Sequence, residues 1–375
     1  MTTKNLTHIE KQALRSPINL ADGHARQSLH PTTLEAVVDR FRTVVHGAID
    51  VAAIETEFLN AFSARSHVPY DEDKTWICYS ASISIDIVAK LLTRRGLRVG
   101  LVTPTFDNLS ALIDSNGAEL IPVPEEVLVP QIDFDRLSAL DLDSLVVVMP
   151  NNPTGTSWDV DQWSLACSWA ARSGVVLVGD MSFRLFDRAM CWDQLELAEA
   201  HGASLILIED TGKIVPLHDT KVGVITCTKD LAADLNEIHE SVLLNCSSID
   251  LALITVVLGD SHSQIDEIER ARSLVRMNRK HVRDHADRLG LSALSIGDLS
   301  VEWVDVGPAK YELVGACMER GLIVLPGEYF HWNETVDNQG AHRIRLALMR
   351  DEDVIQDGLA RLSDALESLR SPALS

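Results

Sequence analysis

Short runs of β-branched and aliphatic residues alternate with helix-like stretches through the first two thirds of the chain. Seven runs are predicted strands: Thr75–Ser80, Arg98–Thr103, Glu119–Val123, Ser144–Met149, Gly174–Gly179, Ser204–Ile208 and Val222–Cys227. Several lack the polar alternation of a half-exposed strand, which is typical of strands covered on both faces. Helices are predicted between most of them, for example Ser84–Arg95 and Asp159–Ser173. The pattern therefore predicts an α/β fold with a doubly wound, mostly parallel sheet.

The pattern changes near residue 265, where a long charged stretch, Gln264–Leu289, predicts an exposed amphipathic helix. Strand candidates at Ser300–Val304 and His342–Leu348, and a final helix at Asp351–Leu369, predict a smaller α+β domain. We therefore expect a large domain over 30–265 and a small domain over 266–375, with packing of 30–50 on the small domain as an alternative. Residues 1–29 carry turn formers and no strong period, which fits either a tail or an arm over a site.

Composition and charge exclude several classes of protein. Of 375 residues, 46% are hydrophobic and 23% are charged, as in ordinary globular proteins. With 33 Lys and Arg against 55 Asp and Glu, the net charge of −22 argues against nucleic acid and anionic membranes as partners. The apolar run Leu251–Leu258 is too short to span a bilayer, and the N-terminus lacks the apolar core of a secretory signal. The six cysteines have no metal-ligand spacing, which favours a reduced cytoplasmic protein without a metal.

Polar residues follow several predicted strands, where ligands bind in open parallel sheets. These residues are Ser80, Ala81 and Ser82, then Phe106, Asn152, Asp180 and Lys213, with Lys221 before the last strand. Hydroxyls at a helix N-terminus suit a phosphate, although a plain helix cap is the simpler interpretation. An aromatic ring can stack on a planar ligand or pack in the core. A carboxylate after an apolar strand must face a cation or a donor, since burial without one is costly.

The ordered set Asn152-Pro153-x-Gly155, Asp180, Lys213 and Lys221 resembles the fold type I pyridoxal-phosphate aminotransferases. The resemblance implies that Lys213 is the Schiff-base lysine and that Asp180 pairs with the pyridine nitrogen of pyridoxal 5′-phosphate. It further implies that Asn152 binds the ring oxygen, that Phe106 stacks on the ring, and that the phosphate is held by Ser80, the Ala81 backbone, Ser82 and Lys221. Arg345 matches the arginine that clamps a substrate α-carboxylate, a task for which a fork-shaped guanidinium is suited.

Two positions depart from the family pattern. Ser182 stands where relatives often place a tyrosine, and it could supply the hydroxyl that reaches the ring oxygen. Asp210 stands where relatives usually carry a phosphate-binding serine. Because a carboxylate would repel a phosphate, we expect Asp210 to face a cation such as a basic substrate side chain.

These departures resemble a narrower group, the oxygen-using pyridoxal-phosphate-dependent L-arginine oxidases, which includes the L-arginine hydroxylase of enduracididine biosynthesis. The matching segments are 18–27, 78–80, 104–108, 182–184, 208–213 and 330–332. The resemblance implies that Thr7, Glu10 and Asp210 hold the guanidinium of the substrate. It also implies that Asp22 and His24 lie near the middle carbons of the substrate. His24 would be a catalytic base or a group that positions water. The simpler alternatives are that Glu10 is a solvated helix residue and that His24 only packs the arm.

The resemblance implies an enzyme that oxidises L-arginine with O2 to 4-hydroxy-2-oxoarginine, with 2-oxoarginine as a side product. Removal of the α-proton by Lys213 would form a carbanion from which dioxygen takes electrons. One alternative is a desaturase that releases 4,5-didehydro-2-oxoarginine, and another is an ordinary aminotransferase for basic amino acids. The family also implies a homodimer or a dimer of dimers, and a role in antibiotic biosynthesis.

Overall fold

The structure is a computed structural model, and it describes residues 5–47, 50–259, 265–308, 310–334 and 338–370. Its first elements are α1 (Leu6–Ala13), β1 (Ile18–Asn19), α2 (Pro31–His46) and α3 (Val51–Ser66). The N-terminal segment is therefore folded from residue 5 onward, and residues 5–29 are called the arm below. Within the described ranges, no helix combines the length and apolar character needed to cross a membrane.

A seven-stranded sheet lies at the centre of the next part of the chain. Its strands are β2 (Thr75–Cys78), β3 (Arg98–Thr103), β4 (Glu119–Pro124), β5 (Ser144–Val148), β6 (Val176–Asp180), β7 (Leu205–Asp210) and β8 (Gly223–Cys227). They lie in the order β2-β8-β7-β6-β5-β3-β4. All neighbours are parallel except β8, which runs antiparallel to both β2 and β7. The predicted α/β class with a mostly parallel seven-stranded sheet is confirmed.

Helices cover this sheet and connect its strands. They are α4 (Ala81–Arg94), α5 (Asp107–Ser115), α6 (Phe134–Ala139), α7 (Val160–Ser173), α8 (Gln194–His201), α9 (Lys229–Val242) and α10 (Ser248–Leu258). The apolar run at 251–258 is part of α10, which packs against α2 and α3.

Two predicted boundaries were wrong because residues near a strand serve a helix instead. Ser80 does not end a strand, since its side chain accepts a hydrogen bond from the Ile83 amide at 3.3 Å and caps α4. The helix therefore begins at Ala81 rather than at Ser84. Gly174 does not begin a strand, because its φ of +69° closes α7 in the left-handed conformation that glycine tolerates.

A second, four-stranded antiparallel sheet follows in the order β12-β13-β10-β9. The elements of this region are α11 (Glu267–Leu289), β9 (Ser292–Ala293), β10 (Val301–Asp305), α12 (Lys310–Glu319), β11 (Leu322–Ile323), β12 (Leu325–Pro326), β13 (Arg343–Ala347) and α13 (Glu352–Arg370). The helix predicted over 264–289 begins at Glu267, and residue 264 itself lies outside the described residues. In the register of β10 and β13, Trp303 lies opposite Arg345.

The arm crosses from this second sheet to the first. Strand β1 pairs in parallel with β11, placing Ile18 opposite Leu322. The buried guanidinium of Arg350 donates to the carbonyl oxygens of Asn19 at 2.7 Å, Asp22 at 2.6 Å and His24 at 2.9 Å. These three hydrogen bonds to one side chain fix the second half of the arm against the body of the protein.

Two large buried clusters fill the interior. One surrounds the seven-stranded sheet, and the other joins α2, α3 and α10 to the second sheet and its helices. Val37 and Val44 of α2 thus share a cluster with residues of the second sheet such as Val304 and Ile344. The division into an arm, a large domain and a small domain stays a prediction.

Candidate active site

One cavity of about 440 Å³ lies where the carboxyl ends of the parallel strands, the arm and the second sheet meet. All fifteen residues predicted from the sequence line it: Thr7, Glu10, Asp22, His24, Ser80, Ala81, Ser82, Phe106, Asn152, Asp180, Ser182, Asp210, Lys213, Lys221 and Arg345. The structure therefore brings the whole set together, although its members are spread over more than 300 positions of the chain.

Asp180 ends β6 and is buried at the floor of the cavity. Its Oδ1 accepts hydrogen bonds from the Ser182 amide at 3.0 Å and the Ser182 hydroxyl at 2.5 Å. Among the described residues these bonds engage only Oδ1, which leaves Oδ2 available to a ligand. Burial raises the pKa of Asp180, while the bonds from Ser182 and the charge of Lys213 oppose that shift. The site thus holds a carboxylate that is stabilised when a cation or donor approaches it.

Lys213 follows β7 by way of a tight turn. Asp210 begins this turn by accepting a hydrogen bond from the Gly212 amide at 2.7 Å. The Nζ atom of Lys213 lies 5.7 Å from the centre of the Phe183 ring. An amine beside an aromatic face and a buried carboxylate is placed to act on a bound ligand.

The first turn of α4 supplies the donors for an anion. Its free amide groups and the hydroxyls of Ser80 and Ser82 lie at the cavity wall. Asn108 fixes Ser82 by donating to its hydroxyl at 3.0 Å. A Cβ added to Gly223 would lie 2.6 Å from the carbonyl carbon of Ser80, so only glycine lets β8 pass this close to the turn.

The turn that carries Asn152 is held by one carboxylate. Glu125 Oε1 accepts hydrogen bonds from Asn151 at 2.6 Å, Thr154 at 2.7 Å and Thr156 at 2.5 Å. Asn151 also accepts a bond from the Thr105 hydroxyl at 3.1 Å, which ties this turn to the loop carrying Phe106. The aromatic ring of Phe106 packs edge-on against Phe330 at 6.2 Å.

Arg345 and Glu10 form an ion pair at the cavity wall. Arg345 is almost fully buried, and its guanidinium lies 3.4 Å from Glu10 Oε1 and 3.4 Å from Asn152 Oδ1. It also donates to the carbonyl oxygen of Ala21. Burial lowers the pKa of Arg345, and the carboxylates of Glu10 and Asp22 oppose the shift. The Nε atom of Arg345 has no partner among the described residues, so the guanidinium retains capacity for an anionic ligand.

A chain of charged groups runs from the arm to the cavity floor. Asp22 accepts hydrogen bonds from His24 Nδ1 at 2.5 Å and from Arg26 at 2.6 Å. Lys221 Nζ lies 2.9 Å from His24 Nε2. Since a carboxylate only accepts, Nδ1 carries the proton and Nε2 faces the ammonium of Lys221 with its lone pair. Although burial alone would raise it, the contacts with His24, Arg350 and Arg26 hold the pKa of Asp22 well below its usual range.

Sequence reasoning missed several residues that also line the cavity. They are Lys11, Leu14, Arg26, Ile85, Asn108, Leu109, Val148, Phe183 and Asp219. Arg26, Asn108 and Phe183 lie inside segments that resemble the arginine oxidases. The sequence therefore pointed to these segments, but it assigned no role to these three residues. Asp219 lies at a turn with a φ of +73° and pairs with Arg26 at 3.1 Å, a placement without a sequence signal.

A buried polar cluster behind the cavity was also missed. Glu209 accepts a hydrogen bond from the Tyr70 hydroxyl at 2.8 Å and lies 3.4 Å from Arg184 Nε. Arg184 in turn donates to Gln194 at 2.6 Å. Burial raises the pKa of Glu209, opposed by the charge of Arg184 and the bond from Tyr70, while the charge of Asp180 adds to the rise. This cluster joins the segment after β6 to β7 directly beneath the site.

The fold and the cavity have known counterparts. A family model for class I and II aminotransferases matches residues 18–361. The chain belongs to this family. MppP, in its structure soaked with the product 2-ketoarginine, is 31% identical over 92% of this chain and 99% of MppP, with a TM-score of 0.84. A comparison with curated protein sequences found no match.

Two further solved structures share the fold of this protein. Aspartate aminotransferase from Thermus thermophilus with maleate is 17% identical, covers 97% of each chain and has a TM-score of 0.78. N-Succinyldiaminopimelate aminotransferase from Mycobacterium tuberculosis is 19% identical, with the same coverage and TM-score.

The protein is therefore a pyridoxal-phosphate-dependent enzyme with the type I aminotransferase fold, as the sequence predicted. The site fits this cofactor, because the available Oδ2 of Asp180, the amine of Lys213 and the open first turn of α4 offer partners for a pyridine nitrogen, an aldehyde and a phosphate.

Proposed function

We propose that the protein oxidises L-arginine with pyridoxal 5′-phosphate as cofactor and O2 as co-substrate, giving 4-hydroxy-2-oxoarginine and some 2-oxoarginine. The observation that carries the proposal is that one cavity joins the amine of Lys213, the guanidinium of Arg345 and the carboxylates of Glu10, Asp22 and Asp210. Such a cavity suits a substrate with an anionic head and a cationic side chain. The similarity to MppP, whose structure was soaked with the product 2-ketoarginine, supports arginine as that substrate.

The cofactor would be held by the residues at the cavity floor. We assign Lys213 to its aldehyde carbon, Asp180 to its pyridine nitrogen, Asn152 and Ser182 to its ring oxygen, Phe106 to its ring face, and Ser80, Ala81, Ser82 and Lys221 to its phosphate. When bound, pyridoxal phosphate supplies a protonated ring that draws electrons away from the substrate α-carbon. The carboxylate of Asp180 stabilises the proton on that ring. Lys213 Nζ then takes the proton from the α-carbon.

The substrate would replace an ion pair that the protein makes with itself. Glu10 and Arg345 lie 3.4 Å apart. L-Arginine carries a carboxylate that can replace Glu10 as the partner of Arg345, and a guanidinium that can replace Arg345 as the partner of Glu10. The α-carboxylate of arginine can take the fork of Arg345, while its guanidinium can take Glu10, Thr7 and Asp210. The charges of Arg345 and Glu10 thereby both remain compensated.

We assign His24, which lies on the arm, as the base for the later oxidation and hydration steps. Its Nδ1 is held by Asp22, and its Nε2 receives a hydrogen bond from Lys221. An imidazole with a fixed tautomer and an adjacent ammonium can exchange a proton at Nε2 with a water molecule. The arm would also exclude bulk water while the substrate is bound.

The experiment that tests the proposal is incubation of the cofactor-loaded protein with L-arginine in air, without any oxo acid. Oxygen consumption and a hydroxylated 2-oxo acid are the expected results. Oxygen consumption with 4,5-didehydro-2-oxoarginine would establish the desaturase. Turnover only after addition of 2-oxoglutarate, without oxygen loss, would establish an aminotransferase for basic amino acids, which the family membership also supports. The homodimer and the cytoplasmic location stay predictions.

Substrate recognition is tested by Glu10→Gln. Loss of a charged hydrogen bond costs about 1.5–3 kcal/mol, so KM for L-arginine should rise roughly tenfold to a hundredfold. The change should be smaller for citrulline, which has arginine's shape without its charge. The control is Glu35→Gln on the exposed face of α2. If E10Q binds arginine as well as the wild type does, Glu10 serves Arg345 alone and the assignment is wrong.

A further inference from the structure

Helix α1 presents one face to the interior and an adjacent face to the active-site cavity. The interior residues recur at intervals of three and four, lie in an apolar cluster and are Leu6, Ile9 and Ala13. The cavity-lining residues follow the same spacing and are Thr7, Glu10, Lys11 and Leu14. Because apolar packing is non-directional, it fixes the shift and rotation of a helix less closely than a hydrogen bond does.

Two polar contacts of α1 with other elements lie within the described ranges. Glu10 pairs with Arg345 at 3.4 Å, and the Leu6 amide donates to Asp107 Oδ2 at 2.9 Å. Leu6 is the first residue of the helix, so its amide has no acceptor inside α1. Bound substrate would separate Glu10 from Arg345, as proposed above, and the contact with Asp107 would then remain.

Asp107 belongs to the segment over residues 105–108, called the Phe106 segment below, which also serves the cavity floor. Phe106 lines the cavity and packs against the apolar cluster beneath α1. Asn108 donates to the Ser82 hydroxyl at 3.0 Å. The Oδ1 atom of Asp107 is buried and has no partner among the described residues, so the carboxyl group is bonded to α1 through Oδ2. This hydrogen bond therefore joins α1 to the residues assigned to the cofactor.

We propose that Asp107 is a positioning residue that fixes α1 on the Phe106 segment and thereby places Thr7 and Glu10 against the substrate. A carboxylate that accepts from a first-turn amide makes a charge-assisted bond, which is stronger and more directional than the packing around it. The contact of Thr7 and Glu10 with the substrate guanidinium rests on the proposed function, whereas the docking of α1 by Asp107 does not.

Variants at position 107 separate the hydrogen bond from the rest of the side chain. Asp107→Ala removes the acceptor, whereas Asp107→Asn keeps a side-chain oxygen that can accept from Leu6. Asp107→Leu is close to aspartate in shape, and it repeats the removal of the acceptor without leaving a space if D107A folds poorly. Asp114→Ala, at an exposed position of α5, is the matched control.

The first measurement is hydrogen exchange over residues 5–14 in the cofactor-loaded protein without substrate. This segment should exchange about tenfold faster in D107A and D107L than in the wild type, as for the loss of one charged hydrogen bond. D107N and D114A should exchange as the wild type does. The exchange of other segments, such as α13, should be the same in all variants.

The second measurement is the affinity for L-arginine, followed by the absorbance of the bound cofactor in the absence of oxygen. D107A should raise Kd about tenfold, because the apparent Kd rises as the docked fraction of α1 falls. D107N should recover the affinity. In air, kcat of D107A should change less than Kd, since saturating substrate restores the docked helix.

The outcomes distinguish this inference from the proposed function. Wild-type exchange of residues 5–14 in both D107A and D107L overturns the inference, and so does a loss of arginine affinity that D107N fails to recover. If the wild type binds L-arginine but consumes no oxygen, the proposed oxidation fails and the inference stands. If the wild type does not bind L-arginine, the proposed function and the contact of α1 with the substrate fail together, while the exchange rates still decide the docking of α1.

Discussion

At the scale of single residues, the half-buried Asp107 and the buried Asp22 show opposite effects of their surroundings. Asp107 accepts one hydrogen bond, from the Leu6 amide at 2.9 Å, and its other oxygen has no partner among the described residues. Burial raises the pKa of Asp107 to about 6, an effect that the Leu6 amide opposes and the charge of Glu10 increases. Asp22 is more deeply buried, but its contacts with His24, Arg350 and Arg26 outweigh burial and lower its pKa.

The Asp107 carboxyl predicts a pH-dependent contribution to stability. Its pKa is higher in the folded protein than in the unfolded chain, so its contribution is complete below about pH 4 and is lost as the pH rises through about 6. For a shift of roughly two pH units, this amounts to about 3 kcal/mol. The side chain in Asp107→Asn cannot ionise. As the pH rises from about 4 to above 6, the free energy of unfolding of this variant should therefore increase relative to that of the wild type by up to this amount.

The measurement is urea denaturation of both proteins at about pH 4.5 and about pH 7.5. Asp114→Asn, an exposed position on the same helix, is the control and should show no comparable gain. An equal difference between D107N and the wild type at both pH values would contradict the prediction.

At the scale of elements, the turn over residues 150–156 depends on one carboxylate. Three donors of this turn meet at Glu125 Oε1. In Glu125→Ala those donors lose their acceptor, so we expect a loss of about 1–3 kcal/mol in unfolding free energy together with a lower kcat. The neighbouring Glu126→Ala is the control, because Glu126 is exposed and lies 3.7 Å from Arg136 at the surface. Comparable losses in both variants, measured by urea denaturation and turnover, would contradict a special role for Glu125.

The arm consists of two parts that are held differently. Helix α1 is joined to α5 through Asp107 and to the second sheet by apolar contacts, whereas residues 18–24 are held by strand pairing and by Arg350. Deleting the entire arm would remove the buried Leu20 from the apolar cluster that it shares with residues of the second sheet, and it would leave the guanidinium of Arg350 without three carbonyl partners. Removal of α1 alone is therefore the cleaner change.

Deletion of residues 1–14 should leave cofactor binding intact and weaken the binding of L-arginine. The variant lacks Thr7 and Glu10, so we expect KM to rise about a hundredfold, as for the loss of one or two charged hydrogen bonds. Cofactor binding is followed by its absorbance, and KM by product formation. Unchanged KM would show that α1 does not contact the substrate.

At the scale of the whole molecule, the pair of Arg184 and Glu209 links parts of the chain that are far apart in sequence. Tyr70 follows α3, Arg184 follows β6 and Glu209 lies in β7, and all three side chains meet in the interior. Arg184→Met would leave Glu209 as an uncompensated buried charge, which costs about 3–5 kcal/mol of unfolding free energy. The same change at Arg188, which pairs with Glu269 at the surface, should cost less than about 1 kcal/mol.

Urea denaturation of both variants and of the double variant R184M/E209L distinguishes an effect of the buried charge from an effect of side-chain shape. The double variant should recover much of the loss, because it removes both charges from the interior. A double variant as unstable as R184M would indicate that shape, rather than charge, is what the pair contributes.

The sequence determined the fold and the identity of the residues around the cavity to a large extent. The apolar strands and the polar residues that follow them are local features, and the carboxyl ends of parallel strands meet at one edge of a sheet. Asp180, Lys213 and the first turn of α4 could therefore be placed together before the structure was considered. Boundaries such as those at Ser80 and Gly174 were wrong because a cap and a left-handed glycine extend helices into predicted strands.

The tertiary structure alone decided which distant groups contact each other. Glu10 and Arg345 form an ion pair across 335 positions, Arg350 holds carbonyl groups of the arm, and Lys221 meets His24. A small apolar cavity behind Asp180 likewise depends on how α4 and α5 pack against the sheet. Spacing along a chain encodes periodic elements, but it does not encode the packing that brings their side chains within hydrogen-bonding distance or leaves space between them.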